Sequence, residues 1–264
     1  MNELSLFSGA GGGLLATKHF LNWRTVGYVE FNNYCQQILA QRIEDGFLDE
    51  APIFGDIDSF IESGAAKKYQ GAVEVLSAGF PCQPFSAAGK QRGKEDDRNK
   101  WPQTIQCVRD IRPRYVWLEN VPGLLNSGYF GEILSSLAEA GYDARWTVLG
   151  AADVGSPHRR NRLWILAESQ HPHPNSIGSH REEEYQHRNP EPADQQISVS
   201  GPMGQVLAHS RSESGDGGNK PWPTEPGVGR VVPHGMAHRV DRLKAIGNGQ
   251  VSRVVAAAWE LLIA

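Results

Sequence analysis

Cysteine is scarce in this chain. Three occur in 264 residues; being odd in number and widely spaced, they argue against a disulfide framework. None falls in the paired Cys-x-x-Cys spacing of a zinc site. Long apolar runs are also missing. The first, Leu4-Ser5-Leu6-Phe7, is far too short for a signal peptide or a membrane span. Neither sign of charge dominates: a formal net charge of −4 gives no general reason to expect a nucleic-acid partner, so such a partner needs a local basic surface. What remains, 39% hydrophobic and 21% charged residues, is the composition of a soluble globular protein. The length suits one large domain, or a domain plus a small one, with a substantial core. A reducing cytoplasm is the expected setting.

Along the chain, short β-branched runs alternate with helical segments. Leu4-Ser5-Leu6-Phe7 reads as a buried strand, followed by Ser8-Gly9-Ala10-Gly11-Gly12-Gly13 and a helix. A glycine-rich strand-to-helix turn admits a ligand close to the backbone and aims helix N–H groups at it. A second strand, 25–29, ends in Glu30, about 20 positions on, where a carboxylate is well placed for ribose hydroxyls. Together they predict a nucleoside-bearing cofactor. Residues 33–42 suit a helix in which Cys35 is packed rather than reactive. A third strand, 53–57, carries Asp56 at its end, as an acceptor for an adenine amino group or as a helix N-cap before Ser59.

Val73-Glu74-Val75-Leu76-Ser77 predicts a further strand, leading into Gly79-Phe80-Pro81-Cys82-Gln83-Pro84-Phe85-Ser86. Prolines on both sides stiffen the backbone around the thiol, at the carboxyl end of a strand where open α/β sheets bind ligands. On this loop alone a nucleophile and a packed structural cysteine both stay open. The polar, basic-leaning run 89–100 is a solvated surface loop or a lid supplying cations to a phosphate backbone; its place directly after Cys82 favours the lid. A helix over 101–111 and a strand over 115–118 follow, with Glu119 at the carboxyl end of the strand. Beside an apolar cleft Glu119 is a candidate for a raised pKa. Cys82 and Glu119 end successive strands and so can face one pocket.

Residues 130–140 read as an amphipathic helix, and 145–149 and 163–167 as the last strands. Arg160 and Arg162 alternate at the entry to the final strand, which predicts a shared face; surface cations and charge partners for the carboxylate are the two readings. From Glu168 to about Arg230 large apolar side chains are too few to build a core. Seven of the nine histidines fall between there and His238, and without nearby cysteines or clustered acids they read as solvated rather than as metal ligands. Order resumes near Arg239, and the chain closes on an apolar helix over 250–263.

Taken in order, Phe7-Ser8-Gly9-Ala10-Gly11-Gly12, Glu30, Gly55-Asp56-Ile57, Pro81-Cys82-Gln83, Glu119-Asn120-Val121, Arg160-x-Arg162 and Gly247-Asn248 resemble the C5-cytosine DNA methyltransferases. The match covers Leu4 to Ala167 and Arg239 to the end. His158 stands where the family usually places the glutamine that opens the arginine motif. The resemblance implies an α/β fold, a Rossmann-like, mostly parallel sheet of the class I S-adenosylmethionine-dependent methyltransferase type. It implies a catalytic and cofactor-binding domain at 1–167, a short target-recognition region at 168–238, and a segment at 239–264 returning to the catalytic domain, its helix beside the first strand. It further implies methyl transfer from S-adenosylmethionine, leaving S-adenosylhomocysteine, to C5 of a flipped-out cytosine in double-stranded DNA.

The catalytic residues are then Cys82, Glu119, Arg160 and Arg162. Cofactor binding falls to Phe7, Ser8, Gly9, Gly11, Gly12, Glu30, Phe31, Asp56, Ile57, Pro81 and Asn248. DNA contacts fall to Gln83, Ser86, Lys90, Arg92, Lys94 and Arg98. No metal is expected, nor a membrane, and the chain is expected to act as a monomer in the cytoplasm of a bacterium, phage or prophage host; a cognate restriction endonuclease is the further partner class. A tRNA cytosine methyltransferase shares the chemistry, but that branch usually carries a second cysteine near the nucleophile and a Cys-Phe-Thr element, both missing here. An inactive DNA-binding relative would not need Cys82, Glu119 and Arg162 together, and a nicotinamide dehydrogenase leaves Pro81-Cys82-Gln83 without purpose.

Overall fold

Five short strands, each followed by a turn or loop, make the parallel part of the sheet. The computed structural model describes residues 1–81, 99–171, 241, 245, 247 and 249–264. At the centre β1 (Asn2–Leu6) pairs in parallel with β2 (Arg24–Val29) on one side and β4 (Val75–Ala78) on the other. β3 (Ile53–Phe54) extends the first side, and β5 (Tyr115–Asn120) the second, both parallel. β7 (Arg162–Ser169) then runs antiparallel to β5, and β6 (Tyr142–Leu149) lies antiparallel to β7 at the edge. The order β3-β2-β1-β4-β5-β7-β6 is the expected Rossmann-like sheet with an antiparallel pair at one side. The order reverses between β1 and β4, so the crevice beyond their carboxyl ends is where such a sheet takes a ligand.

Helices cover both faces. One face carries α3 (Ile57–Glu62), α4 (Trp101–Ile111) and α5 (Tyr129–Glu139), whose Phe60, Val108, Ile111, Ile133 and Leu137 are buried against Leu4, Leu6, Leu76 and Leu118. The other carries α1 (Gly12–His19) and α6 (Ser252–Ile263), which pack on each other; α2 (Asn33–Glu44) follows β2. This second layer is aromatic: Trp259 meets Trp23 at 4.5 Å, Tyr115 at 5.4 Å and Trp117 at 5.5 Å, all edge to face, while Trp117 stacks on Trp164 at 5.2 Å. Edge-to-face and offset-stacked pairs suit the ring quadrupole, and α6, β5, β7 and the connection before β2 meet there.

Two elements are shorter than the sequence suggests. β3 stops at Phe54, because Asp56 turns the chain by accepting the Ser59 N–H at 3.0 Å as the N-cap of α3. The closing helix begins at Ser252 rather than Gln250, with Val251 extended before it. That helix packs against α1 and the β6–β7 side of the sheet, with Trp259 against Tyr115 and Trp117 of β5. The proposed recognition region from 172 onward, and the cation-rich stretches 90–98 and 242–244, lie outside the described residues. Among the described residues no helix is long and apolar enough to cross a membrane.

Candidate active site at the switch point

The turn after β1 is built from unusual backbone. Phe7 has φ +54°, Gly9 +56° and Gly11 +81°. Glycine holds such angles without steric cost; a phenylalanine there stores strain of the kind found at binding sites. Glu30, 9% exposed at the end of β2, fixes this turn. Its Oε2 accepts the Gly9 N–H at 2.6 Å and its Oε1 the Asn32 N–H at 2.7 Å. Burial raises its pKa, against the pull of those two N–H groups. Phe31, the next residue, is 78% exposed.

Across the switch point, Gly79-Phe80-Pro81 leaves β4. Phe80 is buried against Trp101, with ring centroids 5.3 Å apart, and its carbonyl accepts the Asn120 Nδ2–H at 3.2 Å. Asn120 in turn accepts the Val121 N–H at 2.8 Å. The last residue of β5 thereby anchors the loop that leads to Cys82. This role of Asn120 went unread in the sequence, although the residue stands inside a quoted motif.

Glu119 occupies the position before Asn120 in β5. Its neighbour across the ladder is Trp164, so Arg162, two residues earlier in β7, is its diagonal neighbour on the same face. Diagonal pairs on one face lie within reach of long side chains, and Arg162 Nε lies 2.7 Å from Glu119 Oε1. Burial raises the Glu119 pKa; Arg162, a hydrogen bond from the Gln250 side chain and the charge of Arg160 pull it back. The net direction is upward, as expected for a carboxyl at this strand end. Gly79 makes room for the carboxyl: a Cβ there would lie 3.1 Å from Glu119 Oε2 and 3.3 Å from Gln250 Nε2.

Arg160 departs from the shared-face expectation. β7 begins only at Arg162, and Arg160 precedes it with φ +33°, so strand alternation does not reach it. Its guanidinium instead donates to the carbonyl of Gly247 at 2.7 Å and to that of Gly249, clasping the segment that enters α6. Burial and the neighbouring Arg162 hold its pKa below the ordinary value.

The remaining expected residues fall out as follows. Ser8 and Gly12 line a cleft together with Phe7, Gly9, Glu119 and Gln250. Asp56 is a helix N-cap, both its bonds falling on Oδ2. Ile57 is 4% exposed in the core, so what it offers a ligand is backbone. Pro81 is exposed. Cys82, Gln83, Ser86, Lys90, Arg92, Lys94, Arg98 and Asn248 lie outside the described residues. Lys100, at the end of the basic run, pairs with Asp58 at 2.9 Å and so ties α4 to α3. Cys35 and Cys107 are buried, with thiol pKa values pushed up to about 11 and about 12 by burial, so neither supplies a thiolate near neutrality. The packed reading of Cys35 holds.

Two further groups at the site were not anticipated. Gln250 lines the cleft between the glycine turn and Glu119; its only signal was a polar residue directly before an apolar helix. Glu3, 1% exposed in β1, receives the Thr17 and Ser77 hydroxyl hydrogen bonds, each at 2.5 Å, and burial pushes its pKa up to about 7. Nothing in the sequence distinguished it from a solvated carboxylate at a strand start.

The chain is similar to known methyltransferases. The Type II methyltransferase M.NgoMIV of Neisseria gonorrhoeae is 33% identical over 169 residues, covering 62% of this chain and 51% of that protein. The Type II methyltransferase M.NaeI of Lentzea aerocolonigenes is 40% identical over 98 residues, covering 36% of this chain and 24% of that protein. The chain thus spans about half, or less, of the length of these relatives. The solved methyltransferase EhMeth of Entamoeba histolytica shares the fold, with TM-score 0.51 and 24% identity over 70% of this chain and 57% of that one. The family model described as C-5 cytosine-specific DNA methylase matches residues 1–222, and with most of its length inside that match the chain belongs to the C-5 cytosine-specific DNA methylase family.

Proposed function

We propose that this protein is an S-adenosylmethionine-dependent DNA (cytosine-5-)-methyltransferase acting on a cytosine flipped out of duplex DNA through a covalent adduct with Cys82. The observation that carries this reading is the part-buried Glu119–Arg162 pair, 2.7 Å apart, with Glu119 on the strand next to the one that leads into Pro81-Cys82. Both strands open on the cleft below the glycine turn.

The residues present fit the methyl donor. Around Gly9 a Cβ would meet nothing within 4 Å, which leaves the turn open to a ligand. Trp117 Nε1 is buried on the wall of the same cleft with no hydrogen-bond partner among the described residues, a donor without an acceptor. Glu30 would take the ribose hydroxyls on its remaining lone pairs, Phe7 and the exposed Phe31 would flank the adenine, and Asp56, by its Oδ1, would accept the adenine amino group. Ser8, Gly11, Gly12, Ile57, Pro81 and Asn248 would complete the site. When bound, S-adenosylmethionine supplies an electrophilic methyl group on a sulfonium.

Cytosine C5 is a weak nucleophile, and three side chains answer that. The Cys82 thiolate forms a bond to C6, moving electron density to C5. Glu119, protonated, donates to N3 and accepts from the exocyclic amine, neutralising charge as it develops. Arg162, with Arg160 behind it, holds the O2 side of the base and orients the carboxyl. After C5 gains its methyl group, loss of the C5 proton to a base and cleavage of the Cys82–C6 bond restore the aromatic ring as 5-methylcytosine. Extruding the base costs a few kcal/mol, which Gln83, Ser86 and the cations Lys90, Arg92, Lys94 and Arg98 would offset through DNA contacts. The chain would work as a monomer without a metal, in the cytoplasm. The Type II names of the relatives suggest a cognate restriction endonuclease as its companion.

The test is transfer of tritiated methyl groups to duplex DNA and to tRNA. Wild-type protein should label DNA alone, and Cys82→Ala should label nothing while binding S-adenosylmethionine as before. Turnover by Cys82→Ala, or labelling confined to tRNA, contradicts the reading.

A further inference from the structure

We propose that Gln250 is a positioning residue for Glu119, its side-chain amide holding the carboxyl opposite the hold of Arg162. The inference rests on the function proposed above for Glu119.

Gln250 is threaded through a gap that only glycines leave open. A Cβ on Gly13 would lie 2.0 Å from Gln250 Oε1, one on Gly12 2.9 Å from its main-chain oxygen, and one on Gly79 3.3 Å from its Nε2. Real Cβ atoms do not approach neighbours at 2.0 Å, so at Gly13 any other residue expels the amide. One end of the amide therefore lies against the first turn of α1. The other donates to Glu119, beside the carboxyl oxygen that would stand 3.1 Å from a Gly79 Cβ.

The segment bearing Gln250 is itself fastened. Ser252 Oγ donates to the Gly12 carbonyl at 2.8 Å, and Arg160 donates to the carbonyls of Gly247 and Gly249. Arg160 thus acts on Glu119 partly through Gln250. The charged groups that face Glu119 are Arg162 and Arg160, both at the entry to β7. Gln250 adds a neutral donor from a third element. With a guanidinium on one oxygen and an amide also donating, the carboxyl plane is fixed before a base arrives, which is the preorganisation a positioned acid needs.

The test compares wild type with Gln250→Leu, which keeps the length of the side chain without a donor, and Gly13→Ala, which leaves Gln250 in the sequence but fills its place. Gly13 sits in α1 without a positive φ, so alanine suits the backbone there. Glu119 is titrated by carbon-13 NMR of labelled glutamate, S-adenosylmethionine affinity is measured by calorimetry, and methyl transfer is followed against pH. Both variants should raise the Glu119 pKa by about one unit, lower kcat roughly 10²-fold, shift the alkaline limb of the profile upward, and leave S-adenosylmethionine affinity within about threefold. An unmoved Glu119 titration, or a loss of transfer explained by weaker S-adenosylmethionine binding alone, overturns the positioning role. A shifted titration in the variants, beside a wild type that methylates no DNA, instead overturns the proposed function and keeps the contact.

Discussion

Glu119 stands between a guanidinium and an amide in a site that burial makes costly for charge. Removing Arg162 leaves the carboxylate without its ion-pair partner, and an uncompensated buried charge is strongly destabilising; it responds by binding a proton. Arg162→Ala should therefore raise the Glu119 pKa further and lower kcat by about 10²–10⁴-fold, with KM for DNA much less affected. Steady-state kinetics on unmethylated duplex DNA would check the split. Glu119→Gln keeps the shape but cannot give a proton to N3, and should fall in the same range.

Glu3 offers a stability test at the same scale. Its folded pKa of about 7 lies above the ordinary carboxyl value, so the folded state holds a proton that the unfolded state has lost. The cost of this group is absent below about pH 4 and grows as pH rises to about 7, reaching on the order of 3 kcal/mol. Glu3→Gln should accordingly gain stability relative to wild type at pH 8 and show little gain at pH 4.5, read from urea melts at the two values. Equal shifts at both pH values would contradict the burial of Glu3 as a carboxylic acid.

At the scale of elements, the two sides of the site are carried by different layers. The glycine turn belongs to β1 and α1, Gly79 to the segment leaving β4, Glu119 to β5 and Gln250 to the entry of α6. The aromatic layer holds α6 in place, so Trp259→Ala should cost about 3–5 kcal/mol of stability and also lower methyl transfer in the fraction that stays folded. Thermal melts with activity per folded molecule separate the two effects. Asn120→Ala removes the donor to the Phe80 carbonyl, at a cost of about 1–3 kcal/mol, and loosens the loop before Cys82.

These elements also show what a sequence makes legible. The strands 115–118 and 163–167 were readable because β-branched and aromatic residues run together, and the Glu119–Arg162 contact followed once their antiparallel pairing set the register. Glu30 was found as a carboxylate at a strand end, but its bond to the Gly9 N–H was not, since that depends on the strained φ of Phe7. Asp56 had two readings, and the capping bond to Ser59 realises one of them locally. Arg160 was misplaced onto a strand face because alternation does not reveal where a strand begins. Gln250 and Glu3 were missed for a related reason: single polar residues beside apolar runs acquire meaning only from the tertiary neighbours that surround them.

For the whole molecule, the reversal of strand order between β1 and β4 brings together the turn that would hold a methyl donor and the Gly79–Pro81 segment that leads to Cys82, the proposed nucleophile. The net charge of −4 does not oppose the proposed DNA binding, because basic residues cluster in the sequence at 90–100 and 158–162. Affinity for duplex DNA should fall steeply as salt rises, checked by titration from low to physiological ionic strength. The most direct test of the account is covalent capture. Duplex DNA of random sequence, carrying 5-fluorocytosine in place of cytosine, cannot lose a proton from C5 and should stall the reaction at the adduct. With S-adenosylmethionine present, peptide mapping by mass spectrometry should find the DNA bonded to Cys82, with no adduct in Cys82→Ala. An adduct on another residue, or methylation of ordinary DNA with no adduct at all, would contradict it.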